Sequence, residues 1–256
     1  MVMKDVGALL SSAKETVERA ESEGIVLRLL GGMAVAVLCH DIYQNFPMLA
    51  RKPHDIDFMG YSKQSRGISK IFSSELGLAP DQRFNALFGN RRLKFYDNSD
   101  PGNQLVVDVF LDKFIQSHEL PLLKRLGMCK ITVTPTDLLF TKLQIWEINE
   151  KDILDILSLL VKYSLSEGAD PGTIETGRVG ELVGNDWGLW KTSMLNIDKT
   201  EKFLEGNERF SMVRPQAMPK ISQLRALCKD CKKSMAWKMR SLVGEKVQWY
   251  EIPEEV

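Results

Sequence analysis

The sequence predicts an α+β protein, a mixed sheet flanked by helices and followed by a helical C-terminal part. Three observations carry that reading. Strand-like apolar runs and amphipathic helices share the chain as far as residue 135, and from Thr136 onward the pattern is helical only. The pair Gly31-Gly32 interrupts an apolar run and opens a helix. Two further apolar runs carry acids inside them, Asp55-Ile56-Asp57 and the stretch from Leu105 to Phe110 around Asp108. Two domains are expected, an α/β core over 1–135 and a helical domain over 136–256.

Residues Lys4 to Glu23 show helical spacing through Val6, Leu9, Leu10, Ala13, Val17 and Ala20, and Gly24 stands at the usual C-terminal stop. Ile25 to Leu30 reads as a buried strand, and Met33 to about Tyr43 as a core helix. Asn45 to Pro53 is a proline-punctuated loop, and Asp55 to Met59 is the acidic strand, closed by Gly60. Ser65 to Leu76 forms a helix with Ile68, Ile71, Phe72 and Leu76 on one stripe. Arg83 to Phe88 and Arg92 to Tyr96 alternate about Gly89-Asn90, which predicts a hairpin. Asp97 to Asn103 has turn chemistry, Leu105 to Leu111 is a strand, and Ile131 to Val133 is a short edge strand.

Thr136-Asp137 is expected to cap the next helix, and a second helix runs from Lys151 to about Tyr163. Ser166 to Gly180, rich in Gly, Asp, Thr and Ser, is the candidate linker. Beyond it Trp187, Trp190 and Trp237 are expected packing anchors, and Lys229, Lys232, Lys233, Lys238 and Arg240 make the last long helix basic.

Over 256 residues, 34 Lys and Arg balance 34 Asp and Glu, so no global field draws the chain to nucleic acid or membrane. Any nucleic-acid contact needs a local patch. The 4 cysteines are too scattered for a disulfide framework. Cys228-x-x-Cys231 lacks a second pair or nearby histidine for zinc and reads as two thiols on one basic helix. No apolar run approaches membrane-spanning length, and the N-terminus has no secretory core, so a cytoplasmic protein without a membrane partner is expected.

The acids carry the chemistry. Period two places Asp55 and Asp57 on one strand face, about 6.5 Å apart along the strand. Two such acids repel one another and invite a hard cation, and Asp108 inside a Val-rich strand is costly without compensation. Gly31 and Gly32 let a phosphate approach the backbone and the helix N-terminus behind it. Three acids and a triphosphate suit Mg²⁺ or Mn²⁺, with Asp55, Asp57 and Asp108 as metal ligands and Asp108 also orienting an acceptor hydroxyl. Arg91, Arg92 and Lys94 read as solvated hairpin charges. His40, His54 and His118 lack metal-ligand spacing.

Gly-Gly, then Asp-Ile-Asp on a strand, then a lone Asp in a later apolar strand resembles the nucleotidyltransferase superfamily. Within it the chain is most similar, over roughly Ile25 to Leu160, to the abortive-infection (AbiEii-type) nucleotidyltransferase toxins. The resemblance implies a basic residue at Lys142 that neutralises the triphosphate and an acid at Asp152 that acts as general base or orienting group. It also implies a nucleotide-side role for Arg51, which sits shortly before Asp55. For Asp155, capping or packing is expected.

The implied activity is transfer of a nucleoside monophosphate from an NTP, ATP among them, to an acceptor hydroxyl on a tRNA 3′ end or a protein. An antitoxin is the implied partner. Adenylylation of a cationic antibiotic on a similar fold, which predicts an acidic acceptor pocket, is the alternative enzyme. A nucleotide- or partner-binding module is the alternative without catalysis.

Overall fold

The computed structural model describes residues 6–53, 55–99, 104–168 and 170–252. Lys4, Asp5, His54 and the later part of the turn at 97–103 lie outside that set. Helix α1 (Val6–Ser22) buries Leu9, Leu10, Ala13, Val17 and Ala20, the stripe expected from its spacing. Gly24, at φ 72°, turns the chain into β1 (Leu27–Leu30), which is buried along its length. Helix α2 (Gly31–Cys39) begins directly at the first glycine.

Strand β2 (Ile56–Gly60) follows a loop, and α3 (Ser65–Lys70) continues through a π-turn over Ile71–Glu75. The short β3 (Ala79–Pro80) leads to α4 (Gln82–Phe88), β4 (Arg92–Asp97) and β5 (Leu105–Leu111). The sheet order is β1-β2-β5-β4-β3, with β2 and β5 parallel and the other neighbours antiparallel. One face is filled by Phe58 and Phe95 packed on Phe72, with ring centroids 5.4 and 5.1 Å from it. Ile131–Val133 joins the β1 edge through a single parallel bridge, with Leu29 N–H donating to Ile131 O and Val133 N–H to Leu29 O.

The hairpin expected about Gly89-Asn90 is corrected: its first arm is helix α4. Asp81 caps that helix by accepting from Phe84 N–H, and Phe84 and Phe88 meet one turn apart at 5.0 Å. The Asn85 side chain accepts from Lys94 N–H and donates to Lys94 O, tying α4 to β4. A short amphipathic helix docked on a strand therefore mimics alternation over so few residues.

Strands β6 (Lys113–Ile115) and β7 (Glu119–Pro121) form a separate hairpin before the helices. Helix α5 (Pro135–Leu143) starts earlier than expected, with Thr134 as its cap and Pro135 in its first turn. Helix α6 (Glu150–Lys162) has a capping box between Asn149 and Asp152. The expected linker at 166–180 is also corrected. It contains β8 (Leu165–Ser166) paired with β9 (Ile174–Glu175), and α7 (Thr176–Asn185) has already begun at its end.

Helices α8 (Trp187–Glu205), α9 (Arg214–Asp230) and α10 (Met235–Val243) complete the chain, so the basic segment is two helices broken between Cys231 and Ser234. Cys228 is buried, which pushes its thiol up to about 12, and Cys231 lies just past the helix end. A single buried apolar cluster runs from Leu9 to Cys228. Among the described residues no helix is long and apolar enough to cross a membrane.

Candidate functional site

Asp57 and Asp108 are direct register partners on the parallel strands β2 and β5, so their side chains leave the same sheet face about 4.8 Å apart. It is the face opposite the Phe58–Phe72–Phe95 stack. Asp55 is exposed and sits one residue before β2 begins. Asp108 is buried and accepts from Arg92 Nε at 2.9 Å. Among the described residues the Asp57 carboxylate has neither a hydrogen bond nor an ion pair.

Burial pushes the Asp57 carboxyl up to about 6, and Asp108 and Asp55 add to the rise while Lys142 and Arg92 oppose it. The sheet face thus holds an ionisable acid whose charge is incompletely compensated. Among the described residues no group of three or more His, Cys, Asp or Glu is arranged as a metal site.

The two glycines have a local explanation. Gly31 has φ 59°, and a methyl group on it would lie 2.1 Å from Asp57 Oδ2. A methyl group on Gly32 would lie 2.1 Å from a terminal nitrogen of Arg51. The pair therefore makes room for one acid and one guanidinium at the N-terminus of α2, where α2 meets β1 and β2.

Arg51 grips Asp155 through two bonds, Nε to Oδ1 at 2.7 Å and a terminal nitrogen to Oδ2 at 2.5 Å. Lys142 bridges Asp152 at 3.1 Å and Asp155 at 3.0 Å. Asp152 also accepts from Asn149 N–H as part of the α6 capping box. The sequence singled out Arg51, Lys142 and Asp152, and the structure joins them through Asp155 into one ion-paired group between α5, α6 and the loop before β2. Lys142 is close enough to Asp57 to lower its carboxyl, so this group adjoins the sheet acids.

Arg92 is the residue that sequence reasoning undervalued. Read as a solvated hairpin charge, it instead neutralises Asp108, and its guanidinium lies 4.6 Å from the Phe110 ring centroid and 5.6 Å from that of Phe84. No local signal in the sequence pointed to it: the antiparallel register of β4 places Lys94, not Arg92, opposite Asp108, and Arg92 reaches Asp108 from opposite Phe110. Beside Arg92 opens a cavity of about 240 Å³, lined among the described residues by Phe84, Phe88, Phe110, Arg91, Lys113, Glu251 and Ile252.

Fold and site together define an α+β protein with two neighbouring strand carboxylates under a glycine-opened helix. The chain is similar, at TM-score 0.40 and 15% identity over 89% of its own length and 95% of the other, to an antigenic nucleotidyltransferase-like protein from Paracoccidioides brasiliensis. At that TM-score the superposition is loose, and the fold described above stands on its own topology. Neither a protein-family model nor a curated protein sequence matches the chain.

Proposed function

We propose that the protein is a metal-dependent nucleotidyltransferase that moves a nucleoside monophosphate from an NTP to an acceptor hydroxyl. The observation that carries this reading is Asp57, an unpaired carboxylate set beside Asp108 in register and against Gly31. A half-buried acid left without a partner next to a second acid suits a hard cation. All the donors are carboxylate oxygens, the set Mg²⁺ or Mn²⁺ takes together with phosphate oxygens and water. Asp57 and Asp108, with Asp55 from the strand entry, would hold the metal, which would polarise the phosphate under attack.

The remaining steps belong to the chain's own groups. Gly31 and Gly32 would turn the backbone N–H groups of the first α2 turn toward the triphosphate. Lys142 would add positive charge beside the acids, held in place by Asp152 and Asp155. Arg51, fixed on Asp155, would keep the glycine turn shaped. Asp108 would orient the acceptor hydroxyl, released from Arg92 as substrate and cation enter. In this reading residues 1–135 hold the reacting centre and residues 136–256 supply its supporting charges. A tRNA 3′ end or a protein side chain as acceptor, and action as the toxin of a toxin–antitoxin pair, are the finer form of the same proposal.

One observation favours the reading without catalysis, a nucleotide- or partner-binding module: Asp108 is already neutralised by Arg92. Incubation with each labelled NTP, Mg²⁺ and a tRNA pool separates the two. Label on an acceptor that depends on Asp57 supports transfer. Absence of label from every acceptor supplied, RNA and protein alike, favours the module.

A further inference from the structure

The C-x-x-C pair takes no part in the chemistry above, and the structure gives its two thiols different surroundings. Cys228 is buried in the last turn of α9 and its thiol is pushed up to about 12, so it rarely offers a thiolate. Cys231 lies just past the end of that helix, half-buried, and lines an open cleft of about 710 Å³ between α7 and the turn before α10. On the α7 side its sulfur faces glycine. A methyl group on Gly184 would lie 3.8 Å from Cys231 Sγ, and one on Gly180 would lie 3.4 Å from Cys231 Cβ.

Lys233 stands directly against the same sulfur. Its ammonium donates to Cys231 Sγ at 2.9 Å and to Cys228 O at 2.6 Å. It also lies 5.2 and 5.7 Å from the ring centroids of Trp237 and Trp190. The Cys228 carbonyl accepts from Trp190 Nε1 as well, which fixes the turn in place. Among the described residues Lys233 has no carboxylate partner. The acids that line the cleft there are Glu167 and Glu181, and Glu181 is paired with Arg178. A half-buried ammonium set among rings, a carbonyl and a sulfur lacks an anion, and the sulfur in contact with it can become one.

We propose that Cys231 is a modification site for hydroperoxides, oxidised reversibly to a sulfenic acid that Lys233 holds as its anion. The sulfur attacks one peroxide oxygen, and the S–O bond forms as the O–O bond breaks. The departing oxygen takes the thiol proton and leaves as water or an alcohol. Sulfur gives up two electrons and the peroxide accepts them. Cys228, buried and held protonated, is a poor resolving thiol, so the sulfenate persists instead of closing to a disulfide. An external thiol reduces it through a mixed disulfide, releasing water and then the free Cys231. The site is independent of the transferase reading.

The test exposes the reduced full-length protein to hydrogen peroxide at neutral pH, with and without dimedone, and follows intact mass and peptide maps. A dimedone adduct at Cys231 is expected, and without dimedone a gain of one oxygen that dithiothreitol reverses. Cys129 is the comparison inside the same protein. It is also half-buried, its thiol is pushed up by burial, and its sulfur contacts the Pro171 carbonyl instead of an ammonium. It should react at least about tenfold more slowly than Cys231. Lys233→Gln should slow Cys231 about tenfold, Lys233→Arg should keep most of the rate, and Cys228→Ala should leave it unchanged. Melts verify that the variants remain folded, and the Cys129 comparison decides the matter where one does not. No adduct, equal labelling of Cys129 and Cys231, or a rate indifferent to Lys233→Gln would overturn the proposal. So would the loss of two hydrogens through a Cys228–Cys231 disulfide.

Discussion

Asp137 is fully withdrawn from water and Asp57 is half-buried, and the fold treats them in opposite ways. Asp137, 1% exposed, accepts from Arg125 Nε at 2.6 Å, Arg178 Nε at 3.1 Å and the Thr134 hydroxyl at 2.8 Å. Arg125 also reaches buried Glu175, so the ion group ties α5 to β9 and α7. Asp57 has no such partner, although Arg51, Lys142 and Arg92 all lie nearby and each is committed to another acid. Where this chain buries an acid fully, as at Asp137, it surrounds it with cations. The bare acid on the sheet face is therefore placed for something that arrives from outside.

The largest effect that can break this contrast is loss of activity. Asp57→Ala is expected to lower nucleotide transfer by at least about a thousandfold while the denaturant melt stays where it was or moves slightly up. Full activity in the variant would end the transferase reading. A large drop in its stability would put Asp57 in the same class as Asp137.

Asp137→Ala should do the reverse. It leaves Arg125 and Arg178 without their shared carboxylate, and breaking one partner of a buried pair costs about 3–5 kcal/mol. Urea unfolding read by circular dichroism measures this directly. A cost under about 1 kcal/mol would show that the Asp137 group is screened and that pairing does not mark structural acids here.

The third prediction uses pH. The folded-state carboxyl of Asp57 is raised from 3.8 to about 6, so the folded protein holds that proton more tightly than the unfolded chain. Stability from this group is then present at low pH and is lost as pH climbs through the window between those values. Asp57→Asn removes the ionisation, and should exceed the parent in stability by about 1–3 kcal/mol at pH 7, after allowance for solvent access. The two should converge near the lower end of the window. A stability difference that is flat across it would mean that Asp57 is not the strained acid.

The sequence made the acids legible because a carboxylate inside an apolar strand stands out at any length. Asp57 and Asp108 fall in register because β2 and β5 pair in parallel, which no local pattern reveals. The helical spacing of α1 and α6 was readable, since long amphipathic stripes admit few alternatives. Helix α4 was not, because seven residues ending at a Gly-Asn pair satisfy a strand template as well as a helix one. Capping by Thr134 is local, its hydroxyl accepting from Asp137 N–H three residues on, and was misread by two positions; the pairing of β8 with β9 inside a glycine-rich stretch depends on the contact between Leu165 and Ile174. The role of Gly31 and Gly32 was half legible: glycine was needed there, but the atoms that require it come from Asp57 and Arg51, distant in sequence.

The smallest expected effect is the one that sharpens the comparison most. A ligand that binds only the folded state stabilises it by mass action, about 1.4 kcal/mol at tenfold excess over its Kd. Mg²⁺ should therefore raise the melting temperature of the parent protein by a few degrees. The cation must displace a proton from Asp57, so the rise should be greater at pH 7.5 than at pH 5, where that carboxyl is largely protonated. Asp57→Asn should lose the rise at both pH values. Any general ionic stabilisation would instead persist in that variant, because the Asp137 group and the surface charges are untouched by it. Adding NTP should enlarge the rise in the parent alone, since phosphate oxygens complete the coordination of a cation that two carboxylates hold only in part. If Mg²⁺ shifts parent and variant equally, the ion acts on the surface, and the unpaired acid on β2 has another occupant.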